Sequence, residues 1–247
     1  MKSNNRNLKS VSTLLVNSFI DKINQHLLSN EAEILRNILV LLSKDVESGS
    51  EVAEKILKVV EDDLENNKNL PNNFIAKDLE IINNLISNPI ISKDLLNSAT
   101  LMPNLTRIYL EKNNDNEIKG LIGQILSKLT ANDSNNDAII HSHPKILTLL
   151  NKDLMEKTFN LKDPLERKTL ASGIDAYIQV LTNNSKVLND KGIITTNDID
   201  VVVKKFASDE EFGEKLLKIQ NLLNSINKEK QALENLNKDV SFFYYYL

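Results

Sequence analysis

Residues 95–132, LLNSATLMPNLTRIYLEKNNDNEIKGLIGQILSKLTAN, decide the fold, because their pattern of short helix, helix and long helix recurs on both sides. Leu95 and Leu96 sit in a short helix that Ser92 can cap. Pro103 suits the first turn of a second helix carrying Leu105, Ile108 and Tyr109, where a missing N–H costs nothing. After polar KNND, a third helix places Ile118, Ile122, Ile125 and Leu129 at spacings of 4, 3 and 4, one apolar stripe at the helical period.

Fixing a terminal Leu and reading 4, 7 and 11 residues back finds the same stripe elsewhere. Leu42 gives Ile38, Leu35 and Glu31; Leu85 gives Ile81, Asp78 and Phe74. Leu181 gives Tyr177, Ile174 and Leu170; Leu223 gives Ile219, Leu216 and Phe212. Glu31 and Asp78 depart from the pattern. The anchors lie 43, 44, 52 and 42 residues apart, against about 40–47 for two- and three-helix repeats. The long interval implies an insertion, which falls at Met155–Lys162 between a second and a third helix.

With 41% hydrophobic and 26% charged residues over 247 positions, the chain can bury a substantial core, and 6 Gly, 5 Pro and few aromatics argue against sheets. The expected class is all-α. A net charge of −4 supplies no general basic field for a phosphate backbone, so nucleic acid is not expected as a partner. The absence of Cys excludes disulfides, thiolate catalysis and cysteine-bound zinc, and fits a reducing, cytoplasmic setting. The first apolar stretch, VSTLLVNSFI, is broken by Asn17 and Ser18, and no run reaches the about 18 apolar residues of a membrane span.

In chain order, residues 1–7 read as a flexible lead and 8–226 as the helical repeat domain. Residues 227–247 read as a capping helix with an aromatic tail. A first helix spans about Leu8–Leu28 with Leu15, Phe19, Ile23 and Leu27. Asn30 and Glu33 form a capping-box pattern before the helix to Leu42. The helix from Glu51 to Glu65 packs through Val52, Ile56, Val59 and Val60, with Glu61, Asp62, Asp63 and Glu65 as a solvated acidic end. Pro71, Pro89, Pro144 and Pro164 fall between helices or in first turns. Val187 and Leu188 form another short helix, Gly192 follows, and Ser208 with Glu211 forms a second capping-box pattern. The tail FFYYYL holds five of the twelve Phe and Tyr residues, a concentration that favours a covered position.

The joins between first and second helices, LLNSATLMPNL at 95–105, IIHSHPKILTL at 139–149 and VLNDKGIITT at 187–196, resemble the armadillo repeat, with Gly192 at its small position and Ala99 substituting there. Ser142–His143 departs from the pattern. The resemblance covers residues 72–226 well and 8–71 loosely, and HEAT-type repeats share most of it. It implies a right-handed α-α superhelix of about four to five units that works without catalysis or cofactor and binds another protein along a groove lined by third helices. Family members often carry Asn immediately before the last Leu of the third helix, forming a ladder that holds an extended peptide. Asn84 matches; Leu41, Lys128, Val180 and Leu222 do not, so a folded surface or helix is the expected partner. Positions two and five before the anchors give Asn37, Glu80, Asn83, Gln124, Ser127, Gln179, Lys218 and Asn221. With Asn84 and Lys128 these are the candidate contacts.

Other chemistry is weakly represented. His141 and His143 lie near Asp137 without helical ligand spacing, so turn residues outrank a metal site. Gly120 and Gly123 lack the strand and the Lys-Ser or Lys-Thr of a phosphate loop and fit close helix packing instead. Ser172–Gly173 lacks the surroundings of a nucleophile elbow. The expected function is that of a non-enzymatic scaffold or adaptor, as a segment of a cytoskeletal, ciliary or trafficking protein. The alternative is a regulatory or assembly subunit of a larger enzyme.

Overall fold

A computed structural model describes residues 30–45, 51–66, 70–112 and 115–217 continuously, with isolated positions on either side. The described residues are helical with no strand. The helices with fixed bounds are α1 (Asn30–Asp45), α2 (Glu51–Asn66), α3 (Asn72–Leu85), α4 (Pro89–Asn97), α5 (Leu101–Glu111), α6 (Asn116–Thr130), α7 (Asp133–Ser142), α8 (Pro144–Glu156), α9 (Pro164–Asp190) and α10 (Thr196–Phe206). A further helical segment begins at Glu210.

Short polar side chains start these helices by accepting first-turn N–H groups, which have no partner inside the helix. Asn88 Oδ1 accepts from Ile90 N at 2.9 Å, Asp115 Oδ1 from Ile118 N at 3.0 Å, Asn132 Oδ1 from Ser134 N at 3.0 Å, and Asp163 Oδ1 from Leu165 N at 2.8 Å. Pro89, Pro144 and Pro164 each open a helix at its first position. Ser92, expected as a cap, instead lies inside α4, where its buried hydroxyl donates to Ile86 O at 2.7 Å. Asp209, not Ser208, caps the segment from Glu210, its Oδ1 accepting from Glu211 N and Phe212 N. Thr195 and Asp198 form a reciprocal capping box at α10.

The apolar stripes face inward as their spacing requires. Ile118, Ile122, Ile125 and Leu129 are fully buried, as are Leu170, Ile174, Tyr177 and Leu181, and Phe212, Leu216 and Ile219. Leu223, Leu222 and Lys218, with most of the expected first helix and the aromatic tail, lie outside the described residues. In α1, Ile38 and Leu42 are half-buried while Leu35, Leu39 and Val40 fill the core.

Helices of the same rank pack on one another: α1 on α3, α3 on α6 and α6 on α9; α2 on α5, α5 on α8 and α8 on α10; α4 on α7 and α7 on α9. The α6–α9 pair is the most intimate, and its glycines show why. A Cβ on Gly123 would stand 3.1 Å from Ser172 Cβ and 3.3 Å from the Gly173 backbone nitrogen. Close helix packing is therefore the role of this glycine.

Two boundaries differ from the sequence reading. The third helix expected to end at Leu181 and the short helix at Val187–Leu188 are one continuous helix, α9, 27 residues long. The corresponding joins upstream are cut by Asn88–Pro89 and by the Asn132 cap. TNNSK at 182–186 contains neither Pro nor Gly, so nothing interrupts the backbone hydrogen bonds. The extra length expected around Met155–Lys162 is shared between the connection from Lys157 to Asp163 and the helices beside it, α8 having 13 residues against 11 in α5. Gly192 then ends α9 with φ +66°, a left-handed conformation that favours glycine, and Ile193 N reaches back to Leu188 O at 2.9 Å.

Replacing fully buried Ile122 by Ala should cost about 2–5 kcal/mol through loss of burial and a residual cavity. Gly123→Ala should cost about 1–3 kcal/mol by forcing α6 from α9. Urea melts of both variants beside exposed Val201→Ala, expected to be nearly neutral, check the assignment of the inward face.

Candidate partner-binding surface

The α1, α3, α6 and α9 row carries most of the polar positions singled out from the sequence; Lys218 lies outside the described residues and Asn221 on the segment that begins at Glu210. Asn83 Nδ2 donates to Gln124 Oε1 at 2.9 Å, bridging α3 to α6, and Lys128 Nζ donates to Asn83 O at 2.6 Å. Asn84 turns the other way and donates to Ser43 Oγ at 2.9 Å and Val40 O at 3.3 Å. Amides expected to wait for a partner thus join successive helices of the row. Glu80 pairs with Lys77 at 3.2 Å, and Ser127 is half-buried beside the α6 terminus. Asn37, Gln179 and Asn221 are exposed on their own segments. The structure brings Asn83, Gln124 and Lys128 together and leaves Asn37 and Gln179 as separate exposed positions.

The same one-unit reach recurs in the other rows, usually at the C-terminal carbonyls that a helix leaves unpaired. Arg107 Nη2 on α5 donates to Leu64 O of α2 at 2.8 Å, 43 residues away. Lys205 on α10 donates to Leu154 O at 2.9 Å and Met155 O at 3.1 Å at the end of α8. His143 Nε2 lies 3.1 Å from Leu96 O near the end of α4, 47 residues away. His141 Nδ1 is 2.9 Å from Lys191 Nζ. The two histidines therefore serve separate interhelical contacts, and no group of three or more His, Asp or Glu forms a metal cluster among the described residues.

Groups with chemical potential are also drawn into interhelical bonds. Lys119, buried in α6, pairs with Asp153 of α8 and lies over the Tyr109 ring, while Tyr109 Oη donates to the same carboxylate at 3.1 Å. Burial is the main cause pushing the Tyr109 phenol up and the Lys119 ammonium down from their ordinary ranges; Asp153 holds the lysine partly back. Tyr177 Oη donates to Asn151 Oδ1 at 3.0 Å, and Asn151 passes the connection to Asp198 at 3.1 Å.

Asp63 corrects the reading of a solvated acidic end: it is 3% exposed, and Arg36 of α1 joins it to Asp78 of α3. Arg36 Nε is 3.2 Å from Asp78 Oδ1, and its guanidinium lies over the Phe74 ring at 4.5 Å. Asp78 departs from the apolar stripe because this arginine meets it there. Glu61 is likewise engaged, accepting from Ser98 at 2.5 Å and from Thr100. Two carboxylates share one guanidinium, and Asp78 Oδ2 has no hydrogen-bond partner among the described residues. Burial pushes both acids up, Asp78 well above the usual carboxylate range, against the opposing pull of Arg36.

Sequence reading missed an open cleft of about 690 Å³ between α4 and α7, where the ends of α3 and α6 meet them. Ile86, Leu96 and Ala138 give it apolar lining, while Asn97, Lys93 and Lys128 line it with polar groups. Its signal was the pair of corresponding joins, SNP at 87–89 and ANDS at 131–134.

No family model matches the chain, and no curated protein sequence matches it. Its fold is similar to the crystal structure of an engineered protein from the Northeast Structural Genomics Consortium. That match has a TM-score of 0.56 at 16% identity and covers 80% of this chain and 76% of that one. No helix among the described residues is long and apolar enough to cross a membrane.

The raised Asp78 carboxyl gives a pH test with a definite sign. Its stabilising contribution is complete below the unfolded value of about 3.9 and is lost as pH rises through the higher folded value. The stability of Asp78→Asn minus that of the native chain should therefore increase between about pH 4 and pH 7. Denaturant melts across that range check it; a decrease would mean that ionised Asp78 is the favoured form.

Proposed function

We propose that this chain is a non-enzymatic protein-docking scaffold, an armadillo-like α-α superhelix that works in the cytoplasm and presents its third-helix face to another protein. The observation that supports this reading most directly is the rank-matched packing, in which long-range polar bonds repeatedly span about one unit: 42 residues for Arg36–Asp78, 41 for Asn83–Gln124, 44 for Tyr109–Asp153 and 42 for Arg167–Asp209. Such stacking makes a long, continuous surface from short local elements.

The partner is a folded surface or a helix. An extended peptide held by the armadillo asparagine would compete for Asn84, whose amide already donates to Ser43 and Val40. Exposed Asn37 and Gln179 remain available for side-chain contact. Lys119, Asp153 and Tyr109 bond one another between helices, which fits a structural better than a catalytic role.

Photo-cross-linking residues introduced at Asn37 and Gln179 should capture a defined partner in native lysate. The same residue at Lys204, exposed on α10, should not. Gln179→Arg should reduce partner retention at unchanged melting temperature. Equal capture at all three positions, or none at any, would overturn the third-helix face as the docking surface. Stoichiometric capture of an enzyme would instead identify a regulatory subunit.

A further inference from the structure

Among the described residues, Lys93 and Lys128 are the charged side chains lining the cleft between α4 and α7. Asp94 and Asp137, exposed on the same two helices, do not line it. Some cations elsewhere stand beside acids, as in Lys55–Glu51, Lys119–Asp153, Arg167–Asp209 and Lys215–Asp175, while Lys205 meets backbone carbonyls instead. Lys93 makes no hydrogen bond or ion pair with a described residue. Lys128 donates to the Asn83 carbonyl at 2.6 Å and forms no ion pair with a described carboxylate. Burial lowers its ammonium from the ordinary lysine range. Two cations facing one cavity, with no acid among the described side chains that line it, are complementary to an anionic occupant.

The remainder of the lining narrows the class of that occupant. Ile86 and Leu96 are buried side chains bordering the cleft, Ala138 is half-buried, and Asn97 and Asn135 add amide hydrogen-bonding groups. A free small anion would meet the lysines and leave the apolar lining in water. A nucleic acid would meet two cations on a chain of net charge −4. A peptide segment carrying carboxylates around an apolar side chain satisfies both parts of the surface.

We propose that the cleft between α4 and α7 docks an acidic segment of a partner protein, with carboxylates on Lys93 and Lys128 and an apolar side chain against Ile86, Leu96 and Ala138. This rests on the scaffold reading and names the partner chemistry. Lys128 also belongs to the third-helix row, so the cleft extends the docking surface around the end of α6.

The test is an NMR titration of the isotope-labelled full chain with a synthetic peptide of alternating Glu and Leu. A Lys and Leu peptide of the same length and inorganic phosphate serve as comparison probes. The acidic peptide should shift the amides of 92–97 and 134–138 saturably. Binding should weaken by about tenfold or more in Lys93→Glu, and also on adding salt. Lys93 holds no helix end, so this variant reads the cleft without removing the Lys128 contact to α3. Equal binding of the basic peptide, equal binding of phosphate, no shifts at these amides, or indifference to Lys93→Glu would each overturn the proposal. Any such failure with cross-linking at Gln179 retained would remove the cleft and keep the scaffold. Loss of both would remove the scaffold reading too.

Discussion

Helix α6 has apolar residues on too much of its circumference to be satisfied by one neighbour. Ile118, Ile122, Ile125 and Leu129 form its stripe, and Leu121 and Leu126 widen it, all buried. A broad apolar face must be covered on more than one flank to escape water. α3 and α9 provide that cover, and α3 in turn packs on α1. The requirement passes from helix to helix, producing rows of equivalent packing instead of one central pair. Gly123 sharpens it at α6–α9 by admitting the Ser172–Gly173 backbone at close range.

Apolar packing alone leaves neighbouring helices able to slide, whereas directional polar bonds favour a particular alignment. Arg107 reaches the Leu64 carbonyl, Lys205 reaches the end of α8, and Asn83 meets Gln124, each linking helices through residues 41 to 51 positions apart in the chain. The Arg36–Asp63–Asp78 group places such a connection in the core. A well-packed apolar replacement for a buried ionic group is often neutral or stabilising, while deletion of one partner strands a charge. The cluster is better understood as constraining how α1, α2 and α3 meet than as a large net source of stability.

This division between packing and polar alignment shapes what remains on the surface. Asn84 and the Asn83–Gln124 pair resemble interaction residues in sequence, yet their side chains already connect α1, α3 and α6. Recognition can draw on the exposed remainder and on spaces where the connections leave helices apart. The α4–α7 cleft is such a space: its far end is tied through His143 and Leu96, while Lys93 and Lys128 border its open volume.

The sequence by itself determined the helical class and most of the inward stripes, because side-chain direction along a helix follows a local period. It also located the joins at Pro89, Pro144, Pro164 and Gly192, where backbone chemistry is local. Tertiary structure decided that Asp78 belongs inside, since Arg36 stands 42 positions away in sequence. It fused the expected helices across TNNSK into α9, assigned Asn84 to neighbouring α1, and opened the cleft between α4 and α7. Those outcomes depend on which surfaces meet and which charges find partners after packing. Local periodicity contains neither distance.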